Sequence, residues 1–201
     1  MSSFRSERSG RADARRNAAR ILNATAELLA ADPAVSLEQV ATHAGVSRAT
    51  LYHHFAGRDA LLDALTGRSI AEVTAAVRSA RPGEGPAVDA MERVLRAAWQ
   101  VVGRYRGLVL VNPRRLARSE LRHRLAPALA PIRTLIRRGR RSGEFDPELP
   151  VEWTIGVITD LIHAASGQVS TGAMRPQQAE RVLLRTAQAA LTGHRASRSR
   201  G

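Results

Sequence analysis

The stretch that most constrains this chain is Ser36 to His54, SLEQVATHAGVSRATLYHH, because two helix starts and a helix stop fall close together in it. Ser36 followed by Gln39 reads as a capping box: the serine hydroxyl accepts from the N–H three residues on, and the glutamine side chain reaches back. Gly45 offers the left-handed residue that ends the helix. Ser47 is the next N-cap, and a second short helix runs from Arg48 to about His54 before Ala56-Gly57 breaks it. Val40, Ala41, Val46 and Leu51 can pack between the two helices. Such a pair is the helix-turn-helix pattern, whose second helix enters a DNA major groove. Two short helices about a glycine turn also occur in ordinary helical domains, and periodicity alone does not separate the two.

The rest of the chain also reads as helix. Met1 to Gly10 is Ser/Arg-rich and aperiodic, a mobile arm. From Arg11 a helical period begins, with Ala18, Ile21, Leu22, Thr25, Leu28 and Leu29 on one face, and Asp32-Pro33 stops it. Arg58 opens a long helix that ends at Arg81-Pro82-Gly83, and Pro86 starts another that continues to about Arg104. Gly107 and Pro113 bracket a short apolar piece, and Arg114 to Ser142 reads as a helix broken near Pro127 and Pro131. Two more helices are expected, Val151 to Val169 and about Pro176 to Leu191, followed by a Ser/Arg-rich mobile tail. No period-2 strand pattern or internal repeat is visible. The expected fold is all-α, with about nine helices: a small N-terminal unit joined to a larger one by the helix that starts at Arg58.

Composition excludes several classes of function. Hydrophobic residues make up 44%, enough for a globular core, and aromatics only 3%, which favours a small-residue helical core over a β-sandwich. With no cysteine, there is no disulfide, thiolate zinc site, iron–sulfur cluster or cysteine nucleophile. His53-His54 and the lone His163 lack the helical partners a metal site needs, so no metal or cofactor is expected. G-x-S-x-G, the P-loop, G-x-G-x-x-G and H-E-x-x-H are all missing, so no enzyme is expected. No secretory signal is visible, and no apolar run approaches the ~18 residues of a membrane span, which points to a soluble, cytoplasmic protein with no membrane partner.

On the second short helix the exposed side chains should be Arg48, Ala49, Thr50, Tyr52, His53 and His54. Arg48 can bond guanine O6 and N7 together, and Ala49 is small enough to touch a thymine methyl. Thr50 and Tyr52 carry hydroxyls suited to phosphate oxygens, and Arg58 can face the same backbone.

Residues Ile21 to Leu65 resemble the DNA-binding domain of the tetracycline-repressor (TetR) family of transcriptional regulators. The resemblance rests on ILNATAELLA and on SLEQVATHAGVSRATLYHHFAGRDALLDAL, with Thr50-Leu51-Tyr52, Phe55, Arg58 and Leu61-Leu62 where that family's pattern has them. By position it implies base reading by Arg48 and Ala49, and phosphate contacts by Thr50, Tyr52 and His54, with Ser36 near another. Arg58 stands where the family usually has lysine; Ser47 and His53 complete the candidate DNA-binding set. Three positions depart from the pattern. Asp32-Pro33 replaces the usual glycine, Leu29 stands where Phe is frequent, and acidic Glu38 argues against a base contact from its position. The resemblance further implies a helix-turn-helix domain over 11–57 and a ligand-binding and dimerisation domain over 58–193, between the arm 1–10 and the tail 194–201.

The positive charge lies elsewhere. The net charge of +13 comes from 31 basic residues, all arginine, against 18 acids. Up to Arg68 there are 9 Arg and 7 acids, whereas Arg104 to Arg141 holds 12 Arg and one acid, Glu120. That stretch reads as a solvated helix face, as a site for an anionic ligand or acidic partner, or as nonspecific attraction to a nucleic-acid backbone. Arg5, Arg8 and Arg11 offer a minor-groove contact that Glu7 and Asp13 dilute.

In Val151 to Val169, Ile155, Ile158, Ile162 and Ala165 share one face, and Trp153, Val157, Asp160, Ala164 and Gln168 another. Two apolar faces suit a helix packed against a pocket and against a sister helix. Val182, Leu183, Ala187, Ala190 and Leu191 of the last helix could complete a four-helix interface between two copies, or these helices could simply finish the core of one. Trp99, Tyr105, Trp153, Asp160 and His163 are the candidate ligand contacts. Taken together, the expectation is a homodimeric, ligand-responsive repressor that reads a palindromic DNA operator at the nucleoid and binds a small-molecule effector, with an anion the sharper reading of the arginine stretch. The alternatives are a nonspecific, arginine-driven DNA-coating protein and an anionic-ligand module with a weak DNA head.

Overall fold

The computed structural model describes residues 3–115 and 117–192, and gives the backbone alone at 3–11, 110, 113–115 and 118. Among the described residues there are nine helices and no strand: α1 (Ser3–Ala31), α2 (Leu37–Ala44), α3 (Arg48–His54), α4 (Arg58–Ser79), α5 (Ala87–Arg104), α6 (Arg106–Arg115), α7 (Arg118–Arg141), α8 (Val151–Ser170) and α9 (Pro176–Thr192). No helix among them is long and apolar enough to cross a membrane.

Two boundaries differ from the sequence expectation. The first helix begins at Ser3 rather than Arg11. Its early turns lack an apolar stripe, but Ser and Arg do not break a helix and the single Gly10 costs only about 1 kcal/mol. The side chains of Arg5, Arg8 and Arg11, and the tail from residue 193, lie outside the described residues. The second difference is α7, which runs unbroken through Pro127 and Pro131. Pro127 is exposed and Pro131 half-buried, while Ala128, Ile132, Leu135 and Ile136 of the same helix are buried. Tertiary packing of that apolar side outweighs the backbone bonds the prolines remove.

Where the sequence places a stop, the structure supplies its mechanism. α1 ends at Ala31, and the Asp32 carboxylate accepts the Ala34 N–H at 2.7 Å, closing a side-chain turn before Val35 is buried. A first core cluster joins Ile21 and Leu29 of α1 to Val40 of α2, Leu51 of α3 and Leu61 and Leu65 of α4. It extends without a break to Tyr105 and Leu108, so the N-terminal unit shares its core with the α5–α6 corner. A second cluster gathers Val77, Met91, Val94, Leu135, Ile136 and Ile158 from α4, α5, α7 and α8.

Many arginines of the basic stretch hold this framework together. Arg138 donates to the carbonyls of Pro82 (3.1 Å), Gly83 (2.9 Å) and Gly85 (2.7 Å), fastening the α4–α5 loop to α7. Arg124 spans Glu120 (2.7 Å) and Asp63 of α4 (2.5 Å), Arg133 meets Glu152 of α8 (2.9 Å), and Arg140 donates to the Pro147 carbonyl. Guanidinium groups suit this work because one planar fork serves several acceptors at once.

Candidate nucleic-acid interface and internal cavity

The α2–α3 unit is built as its sequence specifies. The Ser36 hydroxyl accepts the Gln39 N–H at 3.2 Å, and the Gln39 side chain accepts the Ser36 N–H at 2.8 Å. Gly45 takes φ 62° and ψ 40°, its N–H bonds the Thr42 carbonyl at 3.1 Å, and the next N–H, of Val46, bonds the Ala41 carbonyl at 3.0 Å. This paired closure needs a left-handed residue, which glycine adopts without a steric penalty. Ser47 then caps α3, accepting the Thr50 N–H at 3.0 Å while its hydroxyl shares a 2.8 Å hydrogen bond with that of Thr50. Leu51 is fully buried under α1 and α2, and this fixes the rotation of α3.

With Leu51 inward, Arg48, Ala49, Tyr52 and His53 are exposed on the outer side of α3, Tyr52 at 55%. Thr50 and His54 are half-buried beside them, and the His53 and His54 rings meet edge-on at 5.5 Å. Ser36 and Ser47 are exposed, with their hydroxyls engaged as caps.

Two residues stand differently from the sequence reading. Arg48 is paired with Glu38 of α2, so the cation expected to reach a base meets an acid of the same protein first. Arg58 turns inward: its guanidinium donates to the Pro33 carbonyl at 2.6 Å and to the Val35 carbonyl, tying the start of α4 to the α1–α2 loop. Its role here is to hold the helical head on α4 rather than to present charge. Sequence reasoning noted the acidity of Glu38 but missed its pairing. The available signal was its place in the first turn of α2, next to the N-terminus of α3.

Behind this head lies a cavity of about 130 Å³ lined by α4 to α8. Of the five candidate ligand contacts, Tyr105 and His163 line it. Trp99 borders a separate cleft between α5, α8 and α9, Trp153 is 63% exposed, and Asp160 is exposed, so these three do not join the cavity. Helical spacing shows which residues share a face but not which face meets the cavity. Thr66, Asn112 and the apolar face of α7 at Leu125, Ala128 and Ile132 are lining residues the sequence reading missed, because they come together only through the packing of α4, α6 and α7.

At the cavity edge the Tyr105 hydroxyl donates to Glu72 at 2.7 Å, and Glu72 also receives Arg68 at 3.1 Å and Arg104 at 2.8 Å. Burial and then the hydrogen bond to Glu72 push the Tyr105 pKa up to about 12. For Glu72, burial acts to raise the carboxyl's pKa, but the hydrogen bonds from Tyr105 and Arg68 and the charges of Arg104 and Arg68 outweigh it and hold the group below its usual 4.5. The signs then follow. The contribution of Glu72 is present above pH 4.5 and is lost as pH falls through its lower folded value; that of Tyr105 is present below pH 10 and is lost as pH rises toward about 12. Glu72→Gln is expected to flatten the acid limb of stability below pH 4.5 relative to wild type, as read by chemical denaturation at each pH. Equal acid limbs in the two proteins would show that Glu72 carries no such linkage.

Residues 21–65, the segment holding this capped helix pair, match the family model described as bacterial regulatory proteins, tetR family. That segment is a tetR-family DNA-binding head. Solved structures extend the likeness beyond the head. The TetR-like transcriptional regulator LfrR from Mycobacterium smegmatis, solved in complex with proflavine, is 25% identical with a TM-score of 0.71, covering 87% of this chain and 96% of that one. The ketosteroid transcriptional regulator KstR2 of Mycobacterium tuberculosis is 20% identical with a TM-score of 0.67, over 88% and 95% of the two chains. The fatty acid degradation regulator FadR from Bacillus halodurans is 17% identical with a TM-score of 0.64, over 84% and 94%. At those identities the last two share the fold. No curated protein matches this chain significantly. Together these likenesses support a DNA-binding regulator, with the helix-turn-helix at its N-terminus and a helical C-terminal region.

Proposed function

We propose that this chain is a ligand-responsive repressor of the tetR family that binds a two-fold symmetric operator as a homodimer, in the cytoplasm at nucleoid DNA. The observation that carries the reading is the outward face of α3, where Arg48, Ala49, Tyr52 and His53 stand exposed above a buried Leu51. A helix held this firmly by caps can present three or four side chains to base edges and phosphates in one groove. Dimerisation is supported by the large apolar side chains that α8 and α9 leave in solvent, Trp153 at 63% and Val182 at 43%. Ligand response is supported by the cavity, which adjoins α4, the helix that Arg58 anchors to the head. A ligand with different affinities for two positions of α4 would shift the spacing of two heads, with coupling of about 1–3 kcal/mol.

The other readings have less behind them. DNA coating by free arginines is weakened by the engagement of Arg104, Arg124, Arg133, Arg138 and Arg140 within the chain. Selection of binding sites from random duplex DNA at near-physiological salt tests the proposal. A two-fold symmetric site is expected to be enriched, with half-sites about one helical turn apart. A folded protein that enriches no sequence would refute operator reading.

A further inference from the structure

Resting on the reading of the α4–α8 cavity as the effector site, we propose that its ligand is an uncharged aliphatic molecule whose polar end is a hydrogen-bond donor such as a hydroxyl. Three features of the lining carry this. The first is charge: among the described lining residues none is Arg, Asp or Glu, His163 alone can carry a positive charge, and the apolar positions come from every wall, such as Ile70, Val101, Leu108, Leu125 and Ile158. An ion entering such a space loses its water without gaining a counter-charge, whereas a neutral hydrocarbon gains by leaving water. The arginines that made an anion attractive from sequence lie outside the lining, and Glu72, the nearest acid discussed above, is neutralised by Arg68 and Arg104.

The second feature is shape and stacking. Tyr105 and His163 are the two aromatic rings among the described lining residues, and the rest of the wall is aliphatic or small and polar, so most of the surface a ligand meets favours an aliphatic chain. A planar aromatic cation such as the proflavine bound by LfrR would lack a counter-charge among the described lining residues here.

The third is the direction of the hydrogen bonds. Thr66 donates its hydroxyl to the Leu62 carbonyl at 2.7 Å, Ser69 to Thr66 at 2.9 Å, Thr159 to Ile155 at 2.8 Å, and Tyr105 to Glu72 at 2.7 Å. Each hydroxyl hydrogen already has an acceptor within the protein, so these oxygens have only lone pairs left to offer a ligand. A ligand hydroxyl can use them, whereas a ligand carbonyl has only Asn112 and His163 to turn to, and both already have partners within the protein. A cavity of about 130 Å³ is close to the roughly 150 Å³ that holds a benzene-sized guest, which sets the scale of the ligand at about six carbons.

The test compares four probes of one carbon count on the full-length chain near pH 7, by calorimetry: 1-hexanol, 2-hexanone, hexanoate and hexylammonium. Hexanol is expected to bind at least about tenfold tighter than each of the others. Its affinity should fall at least about tenfold in Ala98→Leu, which fills the cavity from α5, or in the milder Ala98→Val if the leucine variant does not fold. Hexanoate, hexylammonium or hexanone binding as tightly as hexanol would overturn the assignment of ligand class while leaving the effector cavity standing. Binding of none of the four would overturn the effector-site reading itself and the ligand class with it. Unchanged hexanol affinity in the folded Ala98 variant would place the alcohol elsewhere and refute the proposal.

Discussion

Gly107→Ala is expected to cost this protein about 3 kcal/mol, since forcing an atom into a packed backbone contact lies at the upper end of overpacking penalties. For a chain of this size that corresponds to a fall in Tm of roughly 6–12 °C. Gly107 lies in the first turn of α6, which crosses the last turn of α1. A Cβ there would fall within the Leu29 carbonyl group and 2.8 Å from the Ala30 nitrogen. The obstacle is backbone, so no side chain can swing aside, and α6 must move as a body. The same helix supplies Leu108 and Asn112 to the cavity, so the variant is also expected to disturb the fit between cavity and head. Differential scanning calorimetry of the two proteins decides the matter, and an unchanged Tm would mean that α6 and α1 do not meet at this distance.

The second large effect is expected at Arg48. Arg48→Ala should lower affinity for the selected operator by about 1–3 kcal/mol and relax the preference at one base pair per half-site, the loss expected when a two-bond contact to guanine is removed. Fold and dimer should persist, because Arg48 is exposed and its partner Glu38 is exposed as well. Equal losses on operator and unrelated duplex would assign Arg48 to phosphate and refute base reading. Glu38 provides the complementary variant. Its exposed carboxylate holds the guanidinium on the face proposed to meet DNA, so Glu38→Gln is expected to remove a negative charge from that face and free Arg48 to meet phosphate. Affinity for unrelated duplex is expected to rise several-fold, and the slope of log affinity against log salt to steepen by about one unit. Titrations of both variants at several salt concentrations read both effects.

Local chemistry is what the sequence made legible. The bounds of α2 and α3, the Ser36–Gln39 box, the left-handed Gly45 and the Ser47 cap depend on residues within one or two turns of each other, and each is found where its spacing puts it. The all-helical class and the tetR-family head follow from the same local signals together with the apolar period of α1 and α4. Aperiodicity misled at the start of α1, and proline misled in α7, because a helix can continue where packing or its own backbone bonds outweigh a weak local preference.

Long-range contacts decided the rest. Sequence could mark Arg58 as a cation near the recognition helix, but the proximity of the Pro33 and Val35 carbonyls, more than twenty residues away, turns it inward. It could count the arginines of 104–141, but not pair Arg138 with a loop across the bundle or Arg124 with Asp63. Among the five guessed ligand contacts, polarity and aromatic character were poor guides, since a cavity is defined by which helix faces converge. Tyr105 and His163 converge on it, and Trp99, Trp153 and Asp160 do not. By itself, then, the sequence determined the helical class, the capped helix pair and the residues on the outer side of α3, because a turn's hydrogen bonds and a helix's period are properties of neighbouring residues. The cavity, its uncharged lining and the partners of the charged side chains were decided only by the tertiary structure, because burial and pairing depend on which distant surfaces meet.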